Sequence, residues 1–199
     1  AVTGVQTCAL PICGLSLFGH WFAWFMAVKQ TSLANSMVFF AVSPIFTALG
    51  AWMFFREPFE RRHALAMGLC FAGILIIFRD SLRFDPSHLN GDLLALLASF
   101  LFSVYVLLGK GIRRKLGNLP FTILTYSSAG LFFLACLLVR DGSIRADFHA
   151  RTWLLLALLA LGPTLLGHGL FTYCLQFFNV NLMSILVLTE PVLGAMVAY

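Results

Sequence analysis

The chain has 199 residues, of which 60% are hydrophobic and only 11% are charged. Its mean hydropathy is +0.93. A soluble domain carries about 25% charged residues, so this composition excludes an ordinary soluble fold and indicates a protein that lies in a lipid bilayer. The net charge of +5 gives no argument for nucleic-acid binding, because the basic residues fall in short loops between apolar runs. We therefore expect lipid as a partner and no nucleic acid.

Residues 1–12 differ from the rest of the chain. The stretch "VTGVQTCALPI" resembles the read-through translation of a common sequencing adaptor, and we interpret residues 1–12 as a non-native, adaptor-derived segment that is excluded from fold prediction. The alternative, the end of a signal peptide, lacks a basic start. Because the chain also stops inside an apolar run, we interpret it as a fragment.

Seven apolar segments follow, separated by short loops. At about 1.5 Å of rise per residue, the longer segments cross the roughly 30 Å of hydrocarbon unaided, and the shorter ones rely on long basic or aromatic side chains at their ends. The pattern predicts an all-α polytopic membrane protein with about seven spans. The segments are 14–28, 33–55, 64–78, 93–109, 119–139, 153–178 and 182–199.

The distribution of Lys and Arg over the loops predicts the orientation. The loops "REPFERRH" and "KGIRRKLGN" are dense in basic residues, and basic loops stay in the cytoplasm. We therefore place residues 56–63 and 110–118 on the cytoplasmic side. The predicted location is the bacterial cytoplasmic (inner) membrane, which the chain crosses several times.

Two segments of the chain are similar to each other. Residues 27–52 align with residues 174–199 so that Pro44 falls on Pro191 and Ser43 falls on Glu190. A Gly-His pair stands upstream of each copy. An odd number of predicted crossings separates the copies, so they would run through the membrane in opposite directions. This pattern predicts an inverted repeat, the architecture of secondary carriers.

Three stretches carry a resemblance to a known family. "SPIFTALGAWMFFREPFERRHALAMGLCFAGILIIF" contains Pro44, Glu57, Gly68 and Gly73, and resembles the end of the first repeat of the EamA-like branch of the drug/metabolite transporter (DMT) superfamily. "GDLLALLASFLFSVYVLLGK" resembles the start of the second repeat, and "LTEPVLGAMVAY" resembles the ninth span with its Glu-Pro pair. The resemblance covers residues 14–199.

The resemblance implies a fold of ten helices in two inverted five-helix repeats, of which spans three to nine are present here. It implies a division into the end of the first repeat, with three spans, a linker loop, and a second repeat with four spans that lacks its last span. The corresponding ranges are 13–78, 79–91 and 92–199.

Glu190 is the only acidic residue that we place inside a span. It falls eight residues into the last segment, near mid-depth. A charged group at that depth costs about 3 kcal/mol on insertion scales, so it should face protein or water, or be protonated. We predict a substrate or proton site. A neutral acid that hydrogen-bonds a neighbouring helix beside Pro191 is the structural alternative.

Two histidines are the other candidate site groups within spans. Thr164 and Thr172 stand one helical turn on either side of His168, which gives a polar stripe that would line a cavity. The Gly-Pro pair at 162–163 is expected to loosen the helix there. A neutral imidazole bonded between helices is the alternative for His168, and it is the favoured interpretation for His20.

Aromatic and hydroxyl side chains complete the predicted site. Trp24 and Tyr105 carry polar groups on large apolar rings and would bound a cavity for an amphipathic solute. Ser43 enters as the repeat partner of Glu190. The serines at 99 and 103 are predicted to hydrogen-bond across helices, and the small residues Ala64, Gly68 and Ala72 to form a helix-packing ridge. The predicted substrate-binding residues are Glu190, His168, Ser43, Thr172, Trp24, Tyr105 and His20.

The expected function is that of a secondary transporter, a permease or exporter that moves a small organic metabolite or drug-like solute by alternating access. A proton is the candidate coupled ion. A non-transporting receptor or scaffold remains the alternative. An intramembrane enzyme is disfavoured, because the sequence has no H-E-x-x-H and no G-x-S-x-G motif. We expect no enzymatic activity, no cofactor and no metal.

Overall fold

The structure is a computed structural model that describes residues 4–82, 85–141 and 148–198. These residues form helices joined by short loops, with no strand among them, which confirms the predicted all-α class. Residues 1–3 of the proposed non-native segment and residue 199 of the last predicted span lie outside the described residues. The helices are α1 Gly4–Gln30, α2 Leu33–Phe40, α3 Ser43–Gly50, α4 Arg61–Phe78, α5 Leu89–Arg113, α6 Asn118–Asp141, α7 Ala150–Leu159, α8 Gly169–Cys174, α9 Val180–Val187 and α10 Thr189–Ala198.

Six stretches of the described chain are long and apolar enough to cross a membrane, which supports an integral multi-pass membrane protein. Each corresponds to one of the first six predicted segments. The seventh differs, because the apolar helical stretch Val180–Leu193 is shorter and is broken between α9 and α10. The six long stretches are Ala9–Gln30, Leu33–Phe55, Arg61–Phe78, Pro86–Arg113, Asn118–Arg140 and Ala150–Cys174.

The break between α2 and α3 has a chemical cause. Pro44 has no backbone N–H, so the carbonyl of Phe40, four residues earlier, loses its helical partner. The Ser99 hydroxyl donates to that carbonyl at 3.3 Å, and the Ser103 hydroxyl donates to the Ser43 carbonyl at 2.9 Å. The predicted hydrogen bonds of these two serines across helices are thereby confirmed, and they satisfy carbonyls at the break.

The two similar segments are built alike in the structure. Ser32 caps α2 by accepting from the Asn35 N–H, and Asn179 caps α9 by accepting from the Leu182 N–H. In the register that places Pro44 on Pro191, Ser32 falls on Asn179. Both first helices have eight residues. The sequence similarity therefore corresponds to matching helix starts, lengths and ends.

The described chain divides into two compact units. One consists of the described residues within 19–108 and 178–199, and we call it the broken-helix unit because α2, α3, α9 and α10 all belong to it. In this unit α3 packs on α9, and α4 packs on α2, α9 and α10. Ala41 and Leu188, the residues that end α2 and α9, share one buried cluster with Ile74 of α4. The two breaks thus converge on the same helix.

The other unit consists of the described residues within 1–18 and 109–177, and we call it the α6–α8 unit. Here α6 packs on α8. The helix between α7 and α8 widens to a π-helix over Ala160–His168, which contains Pro163. This confirms that the Gly-Pro pair loosens the helical ladder, because proline cannot donate a backbone hydrogen bond and its ring displaces the preceding turn.

One packing prediction has no partner helix among the described residues. The ridge of Ala64, Gly68 and Ala72 on α4 is exposed within the described chain, and a Cβ added at Gly68 would meet no atom of the described residues within 4 Å. Small residues mark close helix contacts only when a second helix lies against them. The opposite side of α4, with Ile74, makes the buried contact instead.

Candidate functional site

The broken-helix unit buries many polar side chains inside its apolar helices. A buried polar group destabilises a protein unless it is hydrogen-bonded, so such a concentration in membrane-crossing segments points to a functional interior. Each of the following residues is at most 2% exposed: Asn35, Ser36, Ser43, Thr47, Ser99, Ser103, Asn181 and Ser184.

Ser43 lies in this polar interior. Its backbone carbonyl accepts from Ser103 at 2.9 Å and from Thr47 at 3.0 Å. Its own hydroxyl is buried and has no hydrogen-bond partner among the described residues, and the same holds for Oδ1 of Asn181. Ser43 opens α3 and Asn181 belongs to α9, the helix against which α3 packs. The two atoms are therefore buried polar groups without a hydrogen-bond partner among the described residues.

An aromatic cluster in the same unit contains three predicted site residues. The rings of His20 and Phe40 stack at 5.4 Å, and those of Trp24 and Phe40 meet edge to face at 5.4 Å. The ring centroid of Phe102 lies 5.2 Å from that of His20 and 6.2 Å from that of Tyr105. The structure thus brings His20, Trp24 and Tyr105 together around two phenylalanines, and Tyr105 is fully buried.

His20 also has a structural contact. Its Nδ1 lies 2.9 Å from the carbonyl of Ala98 on α5. A carbonyl only accepts, so Nδ1 carries the proton in this contact and donates it. This is the interhelical hydrogen bond that the sequence favoured for His20. The residue is 7% exposed.

Glu190 has a different environment from its repeat partner. It lies in the first turn of α10 and is exposed, whereas Ser43 is buried. Within the described residues its carboxylate has no hydrogen bond or ion pair. The neighbouring Thr189 hydroxyl donates to the Leu186 carbonyl at 2.7 Å. The described chain therefore leaves Glu190 outside the buried polar interior.

His168 and Thr172 belong to the α6–α8 unit. Thr172 is fully buried, with Oγ1 3.0 Å from Asn118 Oδ1 and 3.0 Å from the Gly169 carbonyl. Its carbonyl accepts from Arg113 Nε at 3.1 Å. Thr172 thus joins α5, α6 and α8, and this contact favours a packing role. His168 is half-buried at the end of the π-helix, with its ring 6.5 Å from that of Phe171.

Two carboxylates that the predicted site did not include hold helix starts in the broken-helix unit. Asp92 accepts from the Thr31 hydroxyl at 2.7 Å and from the Asn35 amide at 3.1 Å. Glu57 accepts from the backbone N–H of Val180 at 3.1 Å. A local signal existed, since Ser32 and Asn179 are typical N-cap residues. The carboxylates that reach those starts come from 61 and 123 residues away along the chain.

The described part of the chain differs in how well it meets the requirements of a metal site and of an apolar binding groove. Its His, Cys, Asp and Glu residues form no group of three that would hold a metal ion. A surface groove of about 430 Å³ has almost entirely apolar walls, which suits acyl chains better than a polar solute. The groove is lined by Ile45, Ala48, Leu49, Trp52, Phe59 and Met67.

Helices that break at proline inside the apolar region and enclose buried polar groups are the construction of polytopic membrane carriers. The comparison with protein families agrees with that class. The EamA-like transporter family matches residues 3–79 and 89–199, nearly the whole chain. The chain belongs to this family.

The individual relatives share only about a quarter of their aligned residues with this chain. The uncharacterized transporter YxxF of Bacillus subtilis (strain 168) is 24% identical over 181 residues, which cover 90% of this chain and 57% of the relative. An uncharacterized transporter of Archaeoglobus fulgidus is 24% identical over 177 residues, which cover 88% of this chain and 61% of the relative. The chain therefore spans less than two thirds of the length of either relative.

A solved crystal structure shares the fold. It superposes with a TM-score of 0.83 at 20% identity, over 99% of this chain and 69% of the other chain. At this identity the likeness concerns the fold alone.

Proposed function

We propose that this protein is a secondary transporter that moves a small organic solute across the bacterial cytoplasmic membrane by alternating access. The observation that carries the proposal is the pair of similar broken helices, α2–α3 and α9–α10, which end their first halves in one buried cluster. Carriers rock two such elements about a central site.

The contacts at the helix ends support an inverted arrangement of the two copies. Leu33–Phe55 is long enough to cross the membrane, so Thr31 and Glu57 lie near its opposite ends. Glu57 contacts the first residue of α9. The second copy therefore begins at the face where the first copy ends, as expected of an inverted repeat.

The proposed site lies in the broken-helix unit. Ser43 Oγ and Asn181 Oδ1 supply hydrogen-bonding atoms, and His20, Trp24 and Tyr105 supply an aromatic wall. This combination suits a solute with an apolar body and a few polar groups. Glu190 is proposed as the acid that couples transport to protons. His168 remains a predicted contact, and Thr172 is assigned to packing.

The proposal is tested in proteoliposomes that contain the protein expressed as its full reading frame. A panel of labelled amino acids, nucleosides, sugars and the dye ethidium is offered, and saturable accumulation of at least one compound is expected. Ser43→Ala should raise the KM for that compound several-fold, while Ser127→Ala, on the exposed side of α6, should leave it unchanged. Absence of accumulation for the whole panel, together with binding of a panel member to the purified protein, would favour a receptor.

The role of Glu190 is tested separately by Glu190→Gln. If Glu190 carries the coupled proton, this variant transports at a rate that no longer depends on pH between about 5 and 8, and it cannot accumulate solute against a gradient. Exchange of internal for external solute should survive. Retention of the parent pH dependence and of uphill transport would contradict the coupling role.

A further inference from the structure

Two acidic side chains hold the starts of the two broken helices, one carboxylate for each copy. Asp92 binds Thr31 and Asn35 at the start of α2. Glu57 binds the N–H of Val180 at the start of α9. We call these the α2 clasp and the α9 clasp. Glu57 accepts from an unpaired backbone N–H, whereas Asp92 accepts from two side chains. Because a negative charge near a helix N-terminus also faces the positive end of the helix dipole, each contact stabilises a helix start.

The clasps occupy equivalent places in the two copies. The α2 clasp surrounds the N-cap Ser32, and the α9 clasp adjoins the N-cap Asn179, which falls on Ser32 in the register of the repeat. Each clasping acid is distant in sequence from the helix that it holds. The acid of the α9 clasp closely follows the span that begins at the α2 clasp.

The clasps also lie at opposite ends of one membrane-crossing stretch. Leu33–Phe55 has 23 residues, which corresponds to about 35 Å of helix. Thr31 precedes this stretch and Glu57 follows it. One clasp therefore belongs to each membrane face.

Local backbone features set the position of each acid. A Cβ on Gly91 would lie 2.7 Å from backbone atoms of Gln30 and Thr31, so only glycine lets α5 start this close to the α2 clasp. Arg56 adopts a left-handed backbone conformation with φ of 54°. It ends the π-helix Ala51–Phe55 and directly precedes Glu57. Such a conformation is unfavourable for a non-glycine residue and is found where the surrounding structure requires it.

We propose that Asp92 and Glu57 are the two gate residues of the carrier: each carboxylate closes one membrane face by holding the start of one broken helix, and release of either clasp opens the interior around Ser43 to that face alone. This inference rests on the proposed function. Asp92 and Glu57 are positioning residues, since they act through α2 and α9 and not through contact with the solute.

The test measures access to the interior and needs no substrate. The substitution Ser43→Cys is placed in the full reading frame from which the native cysteines have been removed. Modification of this cysteine by a membrane-impermeant methanethiosulfonate reagent is timed in right-side-out and inside-out vesicles. Asp92→Asn should raise the modification rate about tenfold from the face that bears Thr31. Glu57→Gln should raise it by a similar factor from the opposite face. Loss of a charge-assisted hydrogen bond changes an equilibrium by about that factor.

Matched controls come from neighbouring loops. Asp80→Asn and Glu60→Gln remove exposed carboxylates whose partners are the adjacent surface arginines Arg79 and Arg62, and they should leave both rates unchanged. Gly91→Ala is a second route to the α2 clasp, because the added methyl group separates α5 from residues 30 and 31. It should reproduce the effect of Asp92→Asn.

The possible outcomes distinguish failure of the gate role of Asp92 and Glu57, here called the gate pair, from failure of the proposed transport function. If the parent cysteine reacts from both faces and the two acid variants raise its rate from the same face, or from neither, the gate pair is refuted and alternating access stands. If the cysteine stays unreactive from both faces in the parent and in every variant, alternating access around Ser43 and the gate pair both fail. Opposite, face-specific increases support both.

Discussion

At the scale of single residues, the contact at the break between α2 and α3 follows from the backbone N–H that proline lacks. Pro44 deprives the Phe40 carbonyl of its helical partner, and Ser99 supplies a hydroxyl in its place. The carbonyl lies inside an apolar, membrane-crossing unit, so an unpaired acceptor there would be destabilising. The hydrogen bond of Ser99 on α5 is thus a consequence of Pro44 on α3.

The pairing predicts that Ser99→Ala lowers the free energy of unfolding by about 0.6–1.5 kcal/mol, since the Phe40 carbonyl loses its donor. In a Pro44→Ala background the loss should nearly vanish, because the backbone N–H restored at position 44 would then serve that carbonyl. Unfolding in detergent micelles of the parent, both single variants and the double variant measures the coupling. Equal effects of Ser99→Ala in both backgrounds would contradict the pairing.

A second residue-scale prediction concerns the loop before α5. The Ser87 N–H donates to the Asp85 carboxylate at 2.9 Å and holds the pKa of that carboxyl below its usual value. A lowered folded pKa means that the contact stabilises the turn above the ordinary aspartate pKa and is lost as the pH falls through the folded pKa. The Ser87 amide signal, followed by NMR, should therefore titrate below the ordinary aspartate range. Asp85→Asn should abolish the step, and a midpoint at or above that range would contradict the prediction.

At the scale of elements, short helices depend on their ends. Both α2 and α9 have eight residues, a length at which a helix is not stable alone in water. Each begins with a side-chain cap, and each is held at that end by a distant carboxylate. The stability of these half-helices therefore comes from their caps and from tertiary packing.

We predict that Asn179→Ala destabilises the start of α9 by about 1 kcal/mol, because the Leu182 N–H loses its acceptor. Asn179→Asp should retain the stability, since aspartate caps as well as asparagine. Hydrogen exchange at the Leu182 amide measures the effect directly, with the amides of α6 as an internal reference. Unchanged exchange at Leu182 in Asn179→Ala would show that the Glu57 contact alone holds this helix start.

At the scale of the whole molecule, the contacts between segment ends constrain the topology. Thr31 meets Asp92, and Glu57 meets Val180. Each contact joins segment ends that an alternating path through the membrane would place on the same face. These contacts and the apolar spans therefore agree on one threading of the broken-helix unit.

This threading predicts which loops react from which side. Single cysteines at Glu60 and Asn179, both exposed, should be modified by an impermeant reagent from one face, and a cysteine at Asp80 only from the other. The basic loop around Arg62 predicts that the first face is the cytoplasmic one. Modification of positions 60 and 179 from opposite faces would contradict the proposed inverted arrangement of the two copies.

The sequence by itself determined the membrane environment, the helical class, the approximate positions of six long spans and the similarity of the two segments, because the bilayer requires long apolar helices and such runs are a local signal. The N-caps Ser32 and Asn179 were not among the sequence predictions, although serine and asparagine are typical residues at that position. Only the tertiary structure decided which groups meet: that Ser99 serves Phe40, that Thr172 is held by Asn118, that Glu190 lies outside the buried polar interior, and that Asp92 and Glu57 reach helix starts far along the chain. Such pairings depend on how helices pack side by side, and no periodicity within one helix records the identity of its neighbour.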